Sequence, residues 1–376
     1  MANRNYQIIY FPYLCMNNID EIDFGFAKVW NFIRKKDVYI SDESIKSKIT
    51  RILSCYKSQN NSLINDIGVV YVRRCDFRKF NDKELGLVRE VRHLLFLSCL
   101  SKNNTCKYNC NSGHKMFTAD NFDIIYQNFI LEGDSFSERS GEIINFSRSG
   151  YRLGNIVYQR PGFVPTPLRF EIDNDLLAHL IELKGKKPKI YGRILNATEI
   201  FFGSYYNSHY VSRNARILLQ MNSFEMLLQF PKVKQREYFR RTIKNLTVHN
   251  ADREYIYNVK DKGKIIEPLR GHKYTLKEIW ADQFYSLRNK IIHGQRVDDD
   301  DFIFKKSQCH YNIAVLFFIL LIKKQIEKSL RNKKYNCDFE INWEKWRDDI
   351  SQPEALFNKG FVYNYSNRRI FNRMFG

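Results

Sequence analysis

The sequence predicts an α+β domain followed by an all-α helical bundle, on three observations. Short β-branched and aromatic runs alternate with helical stretches in the first part of the chain. The segment Arg160-Pro-Gly-Phe-Val-Pro-Thr-Pro167 then interrupts any regular element, because proline restricts its own backbone and that of the residue before it. Beyond it, apolar residues recur at helical spacing almost throughout. The expected division is an α+β domain over 1–165, a helical bundle over 166–335 and a basic extension over 336–376.

In the first domain, strands are expected over 7–11, 68–72, 123–126 and 155–158, each bounded by polar or glycine positions. Helices are expected over 41–56 and 82–100. In the second of these, Leu85, Val88, Val91, Leu94 and Leu95 form one stripe, with Asp82 as the expected N-cap. In the bundle, helical spacing covers 173–184, 190–207, 211–229, 235–248, 274–293 and 307–330, and 251–271 reads as one long polar connection.

The chain has 376 residues, 44% of them hydrophobic, which allows two real cores, and a formal net charge of +20. Such an excess matches a polyanionic partner, nucleic acid above all, although a generally basic composition also produces it. The longest apolar run, 314–322, is much shorter than a membrane span, so no membrane is expected. The opening residues have no apolar stretch of a secretion signal, and the eight cysteines then fit free thiols in the cytoplasm.

Several clusters carry chemistry worth weighing. Cys99, Cys106, Cys110 and His114 have the ligand types for zinc, but their spacing matches no standard pattern and Cys99 lies on a core stripe. Asp175, Glu182 and Lys184 have the residue types of a metal-dependent nuclease. Such a site needs a strand to bring the glutamate and lysine to one face, whereas this segment has helical spacing. The run Asp298-Asp-Asp-Asp301 is either a magnesium site or an acidic loop capping the next helix. Phe201-Phe-Gly-Ser-Tyr-Tyr206 is a candidate interface stripe beside the ordinary core reading. No cofactor fingerprint is present.

The segment Leu287-Arg-Asn-Lys-Ile-Ile-His-Gly294 carries the most chemistry. Trp280, Phe284, Leu287 and Ile291 share a helical face turned to the core. Asn289 and His293, four residues apart, share another face. Arg288 is five residues from His293, about 140° round the helix, near enough for its long side chain to serve the same ligand. Gly294 suits the left-handed position that ends a helix. Histidine serves as general acid or base near neutral pH, and an arginine fork binds phosphate. Together they fit metal-free RNA cleavage by attack of the ribose 2′-OH, with Asn289 orienting the imidazole. The spacing alone is weak, since about one or two arginine–histidine pairs at such gaps arise by chance here.

The segment resembles the R-x₄₋₆-H motif of the HEPN superfamily of ribonucleases, in its ApeA-like and abortive-infection versions, where a polar residue follows the arginine. Upstream, 216–228 resembles the HEPN helix with an aromatic or leucine before a glutamate, here Phe224 and Glu225. The resemblance covers about 170–335. It implies a HEPN-like bundle, an endoribonuclease with Arg288, Asn289 and His293 as its catalytic residues, and a supporting role for Glu225. It also implies a homodimer pairing two motifs in one cleft, with RNA as substrate, in a toxin or antiphage-defence effector met by an antitoxin or trigger protein. A non-catalytic RNA-binding scaffold and a metal-dependent nuclease remain alternatives.

Overall fold

The structure is a computed structural model describing residues 5–12, 14, 19–32, 39–54, 56–57, 67–73, 76–102, 118–132, 135–140, 146–152, 156–157, 172–206, 211–246, 254–256, 259–261, 264–267, 273–304 and 308–330. The first part holds β1 (Tyr6–Phe11), β2 (Glu21–Asp23), β3 (Ala27–Asn31), α1 (Glu43–Ser54), β4 (Tyr56–Lys57), β5 (Gly68–Val72), α2 (Asp82–Lys102), β6 (Ile125–Phe129), β7 (Ser135–Ser140), β8 (Phe146–Arg152) and β9 (Ile156–Val157). Seven of these strands form one antiparallel sheet in the order β2-β3-β5-β1-β6-β7-β8, while β4 and β9 pair separately.

The central place of β1 follows from its composition. All six of its residues are buried, as expected for a strand covered on both faces. Ile8 and Tyr10 join Trp30, Phe32 and the α1 residues Ile45, Ile49 and Ile52 in one core. Strand alternation turns Ile9 and Phe11 to the opposite face. Helix α2 begins with a reciprocal cap, in which the Glu84 amide donates to Asn81 Oδ1 and the Asn81 amide to the Glu84 carboxylate. Asn81, rather than Asp82, is therefore the N-cap. The strand expected from 123 starts at Ile125, because Thr118 and Asn121 close a 3-10 turn over Ala119–Phe122.

The rest is mainly helical: α3 (Asn174–Lys186), α4 (Pro188–Gly203), α5 (Arg213–Leu228), α6 (Gln235–Lys244), α7 (Leu276–Ile292) and α8 (His310–Leu330). The polar stretch 251–271 is not simply a connection. It contains β10 (Glu254–Ile256), which pairs with β13 (Lys273–Thr275), and the hairpin of β11 (Val259–Asp261) and β12 (Lys264–Glu267). A further pair, β14 (Ile303–Phe304) and β15 (Gln308–Cys309), precedes α8. The chain divides into two compact units, the boundary lying inside α3 between Ile181 and Glu182, with Tyr205 and Tyr206 belonging to the first. The linker 160–167 and the extension 336–376 lie outside the described residues.

The helical core is aromatic. Phe201 stacks on Phe318 with centroids 4.1 Å apart, so the 201–206 run contributes to packing. Phe224 meets Phe239, Trp280, Phe284 and Phe318 at 5.3–6.5 Å. Among the described residues no helix is long and apolar enough to cross a membrane.

His310, at the start of α8, is 2% exposed and lies against Phe284 and Phe304. Burial pushes its pKa down to about 3, with Asp301 opposing. A histidine kept neutral in the folded state binds its proton on unfolding. Its stabilisation is therefore complete above about 6.5 and is lost as pH falls toward about 3. In the first unit His93, pushed by burial and then by Arg92 to about 3, acts in the same sense. Asp123, pushed by burial and then by Asp120 up to about 7, acts oppositely by gaining its proton in the folded state. We expect His310→Gln to shrink the stability lost between pH 7 and pH 5 by ~2 kcal/mol in denaturant titrations, at 1.36 kcal/mol per unit. An unchanged pH slope would show that His310 is not the acid-sensitive group.

Candidate active site

Two helices bring the site together. Helix α7 starts at a capping box: the Glu278 amide donates to Thr275 Oγ1 at 3.3 Å and the Thr275 amide to the Glu278 carboxylate at 2.9 Å. From that start, Trp280, Phe284 and Leu287 fall on the buried face and Ile291 is half-buried. Helix α5 starts at Ser212, whose hydroxyl accepts from the Ala215 amide at 3.2 Å, and buries Phe224 among the α7 aromatics. The next residue, Glu225, thereby meets Arg288.

Arg288 Nη2 donates to Glu225 Oε1 at 2.9 Å, and Nη1 donates to Asn289 Oδ1 at 3.0 Å. The guanidinium lies 5.5 Å from the centre of the Tyr285 ring, a cation–π contact. The Tyr285 hydroxyl donates in turn to Gln235 Oε1 at 3.0 Å. Arg288 Nε is buried and has no partner among the described residues. The arginine is thus held on three sides, by a carboxylate, an amide and a ring. Burial pushes the Glu225 carboxyl above its ordinary value, and the Arg288 charge opposes this. The Tyr285 hydroxyl is likewise raised, chiefly by burial.

His293 is the C-cap of α7, and its backbone N–H donates to the carbonyl of Asn289. Its side chain is exposed and makes no hydrogen bond among the described residues. The Asn289 carboxamide oxygen, expected to orient the imidazole, instead takes Arg288. Gly294 has φ +63, the left-handed value that its position predicts. The Gly294 and Gln295 amides donate to the carbonyls of Ile291 and Lys290 and finish the helix. The imidazole therefore stands at a helix end open to solvent, one turn beyond the anchored Arg288–Asn289 pair.

Beneath this layer, Asp282 is buried and accepts from Arg236 Nε and Nη2, both at 2.7 Å. This bidentate pair ties α6 to α7 behind the Tyr285–Gln235 contact. Neither Tyr285 nor this pair stood out in the sequence. Tyr285 is three residues before Arg288 and so shares its face, a readable signal. Arg236 and Asp282 are 46 residues apart, beyond any local pattern.

The other candidates are placed differently. Cys99 is fully buried on α2, where burial pushes its thiol up, while Cys106, Cys110 and His114 lie outside the described residues. Asp175, Glu182 and Lys184 all stand on α3, and Glu182 pairs with Lys186 one turn on. The carboxylates of Asp298, Asp299 and Asp301 diverge to Arg296, Arg213 and Lys290. Asp298 and Asp301 cap a 3-10 turn over Asp299–Phe302 rather than α8. Among the described residues no group of three histidine, cysteine, aspartate or glutamate side chains could hold a metal ion.

No family model, curated protein or solved structure matches this chain. The site must be judged on its own geometry. The coupling of Glu225 to Arg288 has a direct readout. We expect Arg288→Met to raise the Glu225 carboxyl pKa further, because the opposing cation is gone, as followed by NMR of the side-chain carboxyl. A lower or unchanged value would contradict the pairing.

Proposed function

We propose that the helical part is a HEPN-like, metal-independent endoribonuclease in which Arg288, Asn289 and His293 cleave RNA. The observation that carries this reading is a restrained arginine one helical turn from an unrestrained histidine at an open helix end. Transesterification needs both properties. The base removes the ribose 2′ proton, the 2′ oxygen attacks phosphorus, and an acid protonates the departing 5′ oxygen. Negative charge on the non-bridging oxygens is met by a guanidinium already oriented, which avoids reorganisation at the moment of reaction. Each Nη of Arg288 carries a second N–H beyond the one given to Glu225 or Asn289.

One imidazole cannot easily sit on both sides of the phosphorus. The second is supplied by another copy of the chain, so that one His293 is the base and the other the acid. The excess positive charge favours a polyanionic substrate. In this reading the protein is a cytoplasmic toxin or antiphage-defence effector. Its first unit serves as sensor, substrate-binding part or restraint, and an antitoxin or trigger protein controls it.

A second reading, a non-catalytic RNA-binding scaffold, draws on one specific observation. The Arg288–Glu225 pair is mostly buried, with side chains 19% and 25% exposed, as a purely structural ion pair would be. Activity separates the two. In EDTA we expect His293→Ala to slow RNA cleavage by ~10²–10⁴-fold, and Arg288→Ala by ~10²–10³-fold. RNA bound but left uncut by the wild type would favour the scaffold, and undiminished cleavage by both variants would remove the assigned site. Loss of wild-type cleavage in EDTA would point to a metal-dependent nuclease.

A further inference from the structure

The residues that follow His293 carry an unusual pairing of charges. Asp298 Oδ1 accepts from Arg296 Nε at 2.9 Å, Asp299 Oδ1 from Arg213 Nη1 at 2.9 Å, and Asp301 Oδ1 from Lys290 Nζ at 2.6 Å. Two of the three cations flank His293 along the chain. Lys290 and Arg296 stand three residues before and three after His293, and Arg213 comes from α5, the helix carrying Glu225. Each meets one carboxylate oxygen from a single short loop.

That loop is built rather than loose. Asp301 Oδ2 accepts from the Asp298 amide at 3.1 Å, Phe302 is buried, and the Arg213 guanidinium lies 5.9 Å from its ring. Lys290 and the Asp298 amide together hold Asp301 below its ordinary carboxylate value, against the effect of burial. The cations, however, remain within reach of solvent, their side chains 42%, 55% and 88% exposed for Lys290, Arg213 and Arg296. Exposed pairs of this kind contribute little to folding. The same N–H donors also take phosphate oxygens in much the same way as carboxylate oxygens. Asp300 has no partner among the described residues, so the run carries more negative charge than its pairs use.

We propose that the 298–302 loop is an internal mimic of the substrate backbone: its aspartates occupy Lys290, Arg213 and Arg296, which take the phosphates of single-stranded RNA when the loop yields. This rests on the ribonuclease reading and adds to it the track that RNA follows and a restraint on entering it. A fixed carboxylate at each cation makes loose polyanions compete for the site. Until the loop yields, the three pairs stay closed, and a strand held on the remaining basic surface makes none of these contacts.

The test measures binding of a single-stranded 2′-O-methyl RNA, which lacks the attacking hydroxyl and so is bound without being cut, by the full chain at several salt concentrations. The variant Asp298→Asn/Asp299→Asn/Asp301→Asn removes three charges while keeping side-chain shape. The control Glu43→Gln/Asp76→Asn/Glu182→Gln removes three carboxylates from surface pairs elsewhere. Each freed cation should add one phosphate contact. The slope of log affinity against log salt should then steepen by about 2 in the loop variant, at ~0.7 per phosphate of a single strand. It should hardly move in the control. Adding Lys290→Ala/Arg213→Ala/Arg296→Ala should abolish the gain.

An unchanged slope, or an equal change in the control, overturns the proposal. Cleavage of unmodified RNA by His293→Ala is scored separately. Steeper binding with cleavage surviving in that variant supports the loop and removes the ribonuclease site, while the reverse result does the opposite.

Discussion

The burial of Phe224 is the constraint on which the helical unit depends. Its ring reaches aromatic side chains of α6, α7 and α8 at once. Aromatic residues of this size dominate core energetics, and edge-to-face contacts add to their area burial. Helix α5 therefore cannot rotate or slide without emptying the centre of the bundle. Because Glu225 is the next residue, the same constraint fixes a carboxylate at the edge of the core, where Arg288 meets it. Packing places the charge, and the charge then places the arginine.

The electrostatic cost of this arrangement is visible. Burial pushes the Glu225 carboxyl up while Arg288 pulls it down, so the pair exists because each partner makes the other tolerable. A half-buried ion pair is weak evidence for stability, since desolvation offsets much of the attraction. It is a good way to orient a side chain. The Tyr285 ring and the Asn289 amide complete the holding, and the bidentate Arg236–Asp282 pair beneath them ties in a third helix. His293 is free of such constraints because Gly294 ends the helix immediately after it. Rigidity and exposure are thus separated by one helical turn.

What was legible in the sequence tracks the range of the interactions involved. The helices were readable because long apolar stripes repeat, as in α2, α7 and α8. The glycine stop at Gly294 was readable because it is a local backbone requirement. Short strands were not: β2 has three residues, and β10, β11 and β12 lie in a stretch whose polarity hides their pairing. The caps at Asn81 and Thr118 depend on which neighbour's side chain reaches back, a choice the sequence leaves open between adjacent polar residues. At the site, the motif residues could be named, but Arg236 with Asp282 and Arg213 with Asp299 join segments far apart in the chain. Only the fold discloses such pairs. The bond between Asn289 and Arg288 could not be foreseen, since helical spacing favours His293, four residues on, as the amide's neighbour.

The most direct measurement is the chemistry of the ends left on RNA cut by the wild-type protein in EDTA, read by mass spectrometry. Attack by the neighbouring 2′-OH predicts a 2′,3′-cyclic phosphate on one product and a 5′-hydroxyl on the other. Products with 5′-phosphate and 3′-hydroxyl ends would mean that water was the nucleophile, and would contradict the roles given to Arg288 and His293.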